Sequence, residues 1–113
     1  MSRKTSADTI ASVQHVTPVV EVEAELADLI PQYLSNRRAD LQAAREMLAE
    51  GDFRAISRLA HRIRGSAASY GFGQLGDIVG VLETAAEQED AAAVGAQLAA
   101  YADFLRCVRI HFT

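Results

Sequence analysis

The sequence lacks the residues that several classes of protein depend on. Cys107 is the only cysteine among 113 residues, which excludes an internal disulfide and leaves a structural zinc site without support. No apolar run approaches the roughly 20 residues that a membrane-spanning helix needs. Residues 1–20 also lack the apolar core of a signal peptide. Since a lone cysteine fits a reducing compartment, we expect a cytoplasmic protein without a membrane-bound segment.

Aromatic residues and prolines are also scarce. The chain has no tryptophan, three tyrosines and four phenylalanines, and its only prolines are Pro18 and Pro31. Half of its residues are nevertheless apolar, and many of these are alanine or leucine. Both are strong helix formers, so the composition favours closely packed helices over a β-sandwich. The length corresponds to about one domain, and we therefore predict a single all-α domain.

Charge and loop motifs exclude several further functions. The formal net charge of −4 argues against a general nucleic-acid binder. The chain has no Gly-Lys-Ser/Thr phosphate loop, so it is not expected to phosphorylate itself from ATP. Residues 71–76 match the G-x-G-x-x-G spacing of dinucleotide-binding loops, but they follow a predicted helix where that motif requires a strand. His15 and His111 have no ligand-like spacing, and we expect this chain to bind no cofactor and no metal ion.

Apolar residues recur at helical spacing in four segments after residue 20. In the first segment, Pro31 predicts either a kink or a short helix followed by a longer one that starts near it. Gly51 and Asp52 end that segment and cap the second helix, at 53–70, while Asp90 caps the fourth. The predicted inward positions are Leu26, Ile30, Leu34, Leu41, Ala44 and Leu48; Phe53, Ile56, Leu59, Ala60, Ile63, Ala67 and Tyr70; Leu75, Ile78, Val79, Leu82 and Ala86; and Val94, Leu98, Tyr101, Leu105 and Val108.

All connections between these helices are short, so neighbouring helices should run antiparallel. We therefore predict an antiparallel up-down-up-down four-helix bundle over residues 21–113. Residues 1–20 have no helical period and are predicted to be a flexible tail.

His61 lies outside the apolar stripe of the second helix. At about 100° per residue, it is roughly 150° from the centre of that stripe, so the periodicity does not place it in the core. Arg64 puts a permanent cation one turn away, where it could attract a phosphoryl oxygen. Imidazole is a neutral nucleophile near pH 7. An exposed histidine beside arginines is equally what an ordinary solvated face looks like, so these features alone leave the function open.

The stretch Ala60-His61-Arg62-Ile63-Arg64-Gly65-Ser66-Ala67-Ala68-Ser69-Tyr70-Gly71-Phe72 resembles the signature of histidine-containing phosphotransfer (HPt) domains. That pattern has an apolar residue two positions after the histidine, a lysine or arginine at three, and glycine at four. A second glycine follows at ten, and an apolar-acidic or apolar-amide pair lies in the next helix. The matching positions here are His61, Ile63, Arg64, Gly65, Gly71 and Leu82-Glu83, and the resemblance covers about residues 22–110.

The resemblance implies a role for each matching residue. His61 would be phosphorylated on one ring nitrogen, and Arg64, where lysine is commoner, would hold the phosphoryl group. Gly65 would keep the approach open. Glu83 would accept a hydrogen bond from the other ring nitrogen and fix the tautomer, although a plain surface carboxylate is the alternative. Gly80 has no side chain where the chemotaxis branch of the family often has a polar group.

The implied function is that of a phosphorelay carrier without enzymatic activity of its own. Its expected partners are receiver domains of response regulators or hybrid histidine kinases, which would supply the Mg²⁺ and dock on the first and second helices. We expect no nucleic-acid or membrane partner, and a monomer. Two alternatives stay open: a phosphotransfer segment charged by a separate chemotaxis-type kinase, and a helical docking module in which His61 is not phosphorylated.

Overall fold

Four α-helices make up most of the computed structural model, which describes residues 17–113. They are α1 (Ile30–Ala49), α2 (Phe53–Ser69), α3 (Gly73–Glu87) and α4 (Ala91–Cys107). Each helix packs against the next one, and α4 also packs against α1, so that the four surround a common core. The predicted all-α class with four helices is confirmed.

The helix boundaries follow the signals in the sequence. Gly51, after α1, has a positive φ of 71°, which glycine adopts without steric cost. The Asp52 side chain accepts a hydrogen bond from the backbone N–H of Ala55 at 3.1 Å, and Asp90 accepts one from Ala93 at 3.1 Å. These bonds satisfy donors that have no partner within the helix. Both predicted caps are therefore confirmed.

The first predicted helix is divided in two near Pro31. A 3₁₀ helix occupies Ala24–Leu29, and α1 begins directly after it at Ile30. Pro31 thus lies in the first turn of α1, where the N–H that proline lacks would have no intrahelical acceptor. Of the two predicted arrangements, the short helix followed by a longer one is the one observed.

A parallel pair of short strands joins the two ends of the described chain. β1 (Val19–Val22) pairs with β2 (Arg109–Phe112), with Val19 opposite Arg109. These strands were not predicted from the sequence, and the tail predicted for residues 1–20 was wrong at Val19 and Val20. Within the same predicted tail, the Pro18 carbonyl accepts a hydrogen bond from the backbone N–H of Arg109 at 2.9 Å, and residues 1–16 lie outside the described residues. β-branched side chains favour extended backbone, and alternate residues of β1, Val20 and Val22, are buried.

Gly71 allows the turn between α2 and α3 to lie against β1. Its φ is +82°, and a Cβ atom at this position would lie 2.9 Å from the backbone oxygen of Glu21. Any other residue would therefore meet both a strained backbone and a steric clash. This glycine therefore lets the turn between α2 and α3 lie directly against β1.

The core is apolar throughout the described residues, none of whose buried side chains is charged. Two helices are rotated slightly from the predicted orientation: Tyr33 and Phe104 are buried, whereas Leu34 and Leu105 are only partly buried. The most completely buried large side chains are Tyr101, Phe72, Ile56, Ile63, Leu75, Leu82, Val22, Val79 and Val94. No helix within residues 17–113 has both the length and the apolar composition to cross a membrane.

A polar cluster connects α1, α2 and α4 at the edge of this core. Arg37 donates from Nη1 to Ser66 Oγ at 3.2 Å and from Nε to Asp40 Oδ2 at 2.9 Å. Its guanidinium also lies 4.6 Å from the centre of the Tyr33 ring. The Tyr101 hydroxyl donates to the Arg37 carbonyl at 2.6 Å, and burial raises the pKa of Tyr101 above its usual value. These bonds therefore link α1 to α2 and to α4.

Candidate functional site

The site lies on the side of α2 that faces away from the core. The buried residues of this helix form one stripe, with Ile56, Leu59, Ala60 and Ile63 among its members. His61 lies off that stripe, and 66% of its side chain is exposed. The sequence-based prediction that His61 is not a core residue is thus confirmed by its exposure.

Glu83 on α3 contacts the imidazole of His61. The distance from His61 Nδ1 to Glu83 Oε2 is 3.1 Å, and only 14% of the Glu83 side chain is exposed. An ionised carboxylate can only accept hydrogen bonds, so the neutral imidazole carries its proton on Nδ1 in this contact. The lone pair is then on Nε2, which leaves that nitrogen as the nucleophile.

Arg64 contacts the second oxygen of the same carboxylate. Its Nη1 lies 3.3 Å from Glu83 Oε1. Oε1 is buried and has no aligned hydrogen-bond donor among the described residues, so the contact is an ion pair without hydrogen-bond geometry. Half of the Arg64 side chain remains exposed. The guanidinium can therefore turn towards a phosphoryl group without first leaving a buried position.

Gly65 leaves open space next to these charged groups. A Cβ atom at this position would have no heavy atom within 4 Å outside its own helical segment. Gly65 is exposed, and so is Ala68 one turn further along. A second protein can therefore approach α2 closely on this face. Of the four predicted site residues, the structure brings His61, Arg64 and Glu83 into contact, with Gly65 beside Arg64 on the same helix.

Two surface grooves flank the contact between Glu83 and the two basic residues. The first, here called the His61 groove, is lined by Ser57, Arg58, His61, Arg62 and Glu83. The second, here called the Arg64 groove, is lined by Arg64, Gly76, Asp77, Gly80, Val81 and Thr84. The His61 groove lies between α2 and α3, and the Arg64 groove lies on α3 beside the Arg64 side chain. Val81 was not identified from the sequence as a surface residue of interest, although its position off the α3 apolar stripe was a signal for it.

The described residues offer no metal centre. Within residues 17–113, no group of three or more His, Cys, Asp or Glu side chains is arranged to hold an ion. The groups that contact one another at this site are the imidazole of His61, the carboxylate of Glu83 and the guanidinium of Arg64.

Comparison with protein families gives one decisive finding. The model of the Hpt domain matches residues 21–108, which is most of the chain. This chain belongs to the Hpt family. Hpt domains take part in histidine phosphotransfer in two-component signalling, as carriers and not as kinases. Searches of curated proteins and of solved structures gave no match to this Hpt domain.

Proposed function

We propose that this Hpt domain is a phosphorelay carrier in which His61 accepts a phosphoryl group from a receiver-domain aspartate and passes it to the aspartate of another receiver. The observation that supports the proposal best is the 3.1 Å contact between His61 Nδ1 and Glu83 Oε2. This contact assigns the ring proton to Nδ1 and leaves the free lone pair on Nε2, in a side chain that is 66% exposed.

The transfer is a substitution at phosphorus. The Nε2 lone pair attacks the phosphorus of the aspartyl phosphate, an N–P bond forms, and the P–O bond to the aspartate breaks to release its carboxylate. His61 becomes a phosphoimidazolium whose positive charge lies next to the Glu83 carboxylate, with the proton still on Nδ1. In the second step another aspartate attacks the phosphorus, and the electrons of the N–P bond return to Nε2.

Arg64 and Gly65 serve the same reaction. The Arg64 guanidinium would bind oxygens of the phosphoryl group, since a planar cation suits phosphate geometry. Gly65 would let the partner approach the ring. The receiver domain would supply the Mg²⁺. Phosphoryl transfer depends mainly on positioning and charge stabilisation, and the ion would contribute to both. This division of groups makes the Hpt domain a substrate of its partners.

The proposal also covers the direction of the helices, the oligomeric state, the cellular location and the partners. Three residues connect each helix to the next, and connections of this length favour antiparallel neighbours. We therefore propose an up-down-up-down bundle. We further propose that the protein works as a monomer in the cytoplasm. Its partners would be receiver domains of response regulators or hybrid histidine kinases.

A transfer assay tests the proposed function. The purified protein is mixed with a receiver domain that carries a radiolabelled phosphoryl group, in the presence of Mg²⁺. We expect the label to move to the Hpt domain and to be acid-labile and alkali-stable, as phosphohistidine is. A second, unlabelled receiver added later should remove it. Both steps are needed, because a relay carrier must also release what it accepts.

Two other outcomes would replace the proposal. Label from a chemotaxis-type kinase with ATP, but from none of a broad panel of receivers, would indicate a kinase-charged segment. A folded protein that takes label from neither source would indicate a docking module. Circular dichroism on the same preparation shows whether the helices are formed.

Replacing Gly65 with alanine separates the stability of α2 from the access that this glycine provides. Alanine is favoured over glycine inside a helix, so we expect the free energy of unfolding to rise by about 0.5–1 kcal/mol. The added methyl group would narrow the approach to His61, and we expect transfer from a receiver to slow several-fold. The two effects have opposite signs, so a loss of stability cannot explain the slower transfer.

Gly95→Ala is the matched control for Gly65→Ala. Gly95 lies inside α4, and a Cβ atom there would also meet nothing within 4 Å. The control should gain stability to a similar extent and transfer at the wild-type rate, as measured by urea denaturation and by the receiver assay. Unchanged transfer in Gly65→Ala would contradict the role given to this glycine.

Replacing Glu83 with alanine should remove the tautomer preference of His61. We expect transfer to slow roughly 10- to 100-fold, by analogy with the loss of a carboxylate that orients a metal-binding histidine. The ¹⁵N NMR spectrum reports which nitrogen of the neutral imidazole carries the proton. In Glu83→Ala it should show a smaller population protonated on Nδ1 and a larger one protonated on Nε2. Glu83→Gln keeps an acceptor oxygen, so its transfer rate should be reduced less than that of Glu83→Ala. Glu87→Ala, which removes an exposed carboxylate one turn later, should change neither the rate nor the tautomer.

A further inference from the structure

We propose that the receiver domain docks across α2 and α3, along both grooves, and that Val81 is an apolar anchor of this interface. The inference rests on the proposed function and replaces the expectation that the first and second helices form the docking surface. It specifies a partner with an acidic phosphoacceptor site and an apolar side chain beside that site.

Charge places the centre of the interface on α2. This helix carries Arg54, Arg58, Arg62 and Arg64, all exposed or partly exposed, and residues 53–69 contain no aspartate or glutamate. The whole chain has a net charge of −4, so α2 is a basic strip on an acidic protein. A receiver phosphorylation site is acidic because its aspartates hold Mg²⁺, and opposite charges of this kind speed association and fix orientation.

The two grooves beside His61 and Arg64 are lined by residues of α2 and α3, and none of their lining residues belongs to α1. Glu83 lines the His61 groove, and five of the six residues that line the Arg64 groove belong to α3. Glu83 is already paired with His61 and Arg64, so its charge would repel an acidic partner little. Asp77 is the remaining carboxylate in these two grooves.

On the other flank of α2, the cation of α1 that reaches this helix is already engaged. Arg37 is bonded to Asp40 and Ser66 and stacked on Tyr33. It is therefore held by its own neighbours, which leaves it little capacity to bind a partner.

Val81 supplies apolar surface in the Arg64 groove. Its exposed fraction is 53%, one of the highest for a large apolar residue in the described chain. A single exposed valine is ordinary on a protein surface. Here it lines the same groove as Arg64, next to Gly76 and Gly80. Gly76 and Gly80 add no side chain to this groove, and the Arg64 side chain lies over Gly80. We expect one apolar side chain of the partner to contact Val81 while its acidic site faces His61.

The test compares two substitutions that each add one negative charge to the exposed surface. Val81→Glu changes the proposed anchor, and Asn36→Glu changes an exposed position of α1 next to Arg37. Phosphoryl transfer from a labelled receiver is measured as kcat/KM for each. We expect the kcat/KM of Val81→Glu to be lower than that of wild type by roughly tenfold or more, the loss typical of a contact that carries binding energy. Asn36→Glu should stay within about twofold of wild type. Val81→Asn adds no charge, and its kcat/KM should be several-fold lower than that of wild type.

Labelling of His61 by phosphoramidate, a small donor that needs no docking surface, should be equal in all of these proteins. Equal transfer rates from the receiver in wild type and Val81→Glu would overturn the docking proposal and leave the carrier function standing. Equal slowing by Val81→Glu and Asn36→Glu would overturn it too, since added charge alone would explain both. If wild type accepted no phosphoryl group from any receiver, the proposed function would fall, and the docking proposal with it.

Discussion

Replacing His61 with glutamine should abolish phosphoryl acceptance while leaving the bundle intact. Glutamine has no nucleophilic nitrogen, because its amide lone pair is delocalised into the carbonyl group. Its amide N–H can still donate to Glu83, so the carboxylate keeps a partner. At a position that is 66% exposed, we expect the free energy of unfolding to change by less than about 0.5 kcal/mol. The measurement is the radiolabel retained after transfer from a receiver, together with the urea midpoint.

His111→Gln provides a closely matched control. The side chain of His111 is also 66% exposed and also faces a glutamate, with His111 Nδ1 3.9 Å from Glu21 Oε2. That distance is too long for a hydrogen bond, so no tautomer is fixed there. His111→Gln should accept label as wild type does, and so should His15→Gln, the third histidine of the chain. Label that persisted in His61→Gln and disappeared in either control would show that the wrong histidine has been assigned.

His61, Arg64 and Gly65 were assigned to the site by the resemblance to HPt domains, and helical periodicity predicts their common location. The spacing of His61, Arg64 and Gly65 on a helix with a clear apolar stripe dictates that all three share the outer face. The contact of His61 with Glu83 is of another kind. It depends on how α3 packs against α2, and only the resemblance to HPt domains had implied it. Helical periodicity alone could place Glu83 on α3 but could not bring it to 3.1 Å from the ring.

The features that were not predicted depend on packing between distant segments. The strands β1 and β2 are four residues each and pair across most of the chain length. Each is too short to show a convincing alternation by itself. The burial of Tyr33 in place of Leu34 has a similar cause. The Tyr33 ring stacks on Tyr70 with centroids 4.5 Å apart, and this contact between α1 and the end of α2 outweighs the local apolar period.

The Phe72 ring lies between α1 and α4. Replacing it with alanine should lower the free energy of unfolding far more than a substitution at the exposed phosphotransfer site. Its side chain is fully buried at 0% exposure. The centre of its ring lies 5.0 Å from that of Tyr33 in α1 and 6.2 Å from that of Phe104 in α4. Truncation would leave a cavity between helices whose backbones are fixed by their other contacts. We expect the free energy of unfolding to fall by about 3–5 kcal/mol.

That loss is a large part of the roughly 5–15 kcal/mol that stabilises a typical domain. Urea denaturation should show a lower midpoint with an unchanged slope, because the surface exposed on unfolding stays nearly the same. Phe112→Ala is the matched control, since Phe112 is a β2 phenylalanine with 43% exposure, and it should cost about 1 kcal/mol or less. A similar cost for the two substitutions would mean that the aromatic contacts of Phe72 do not hold α1 and α4 together.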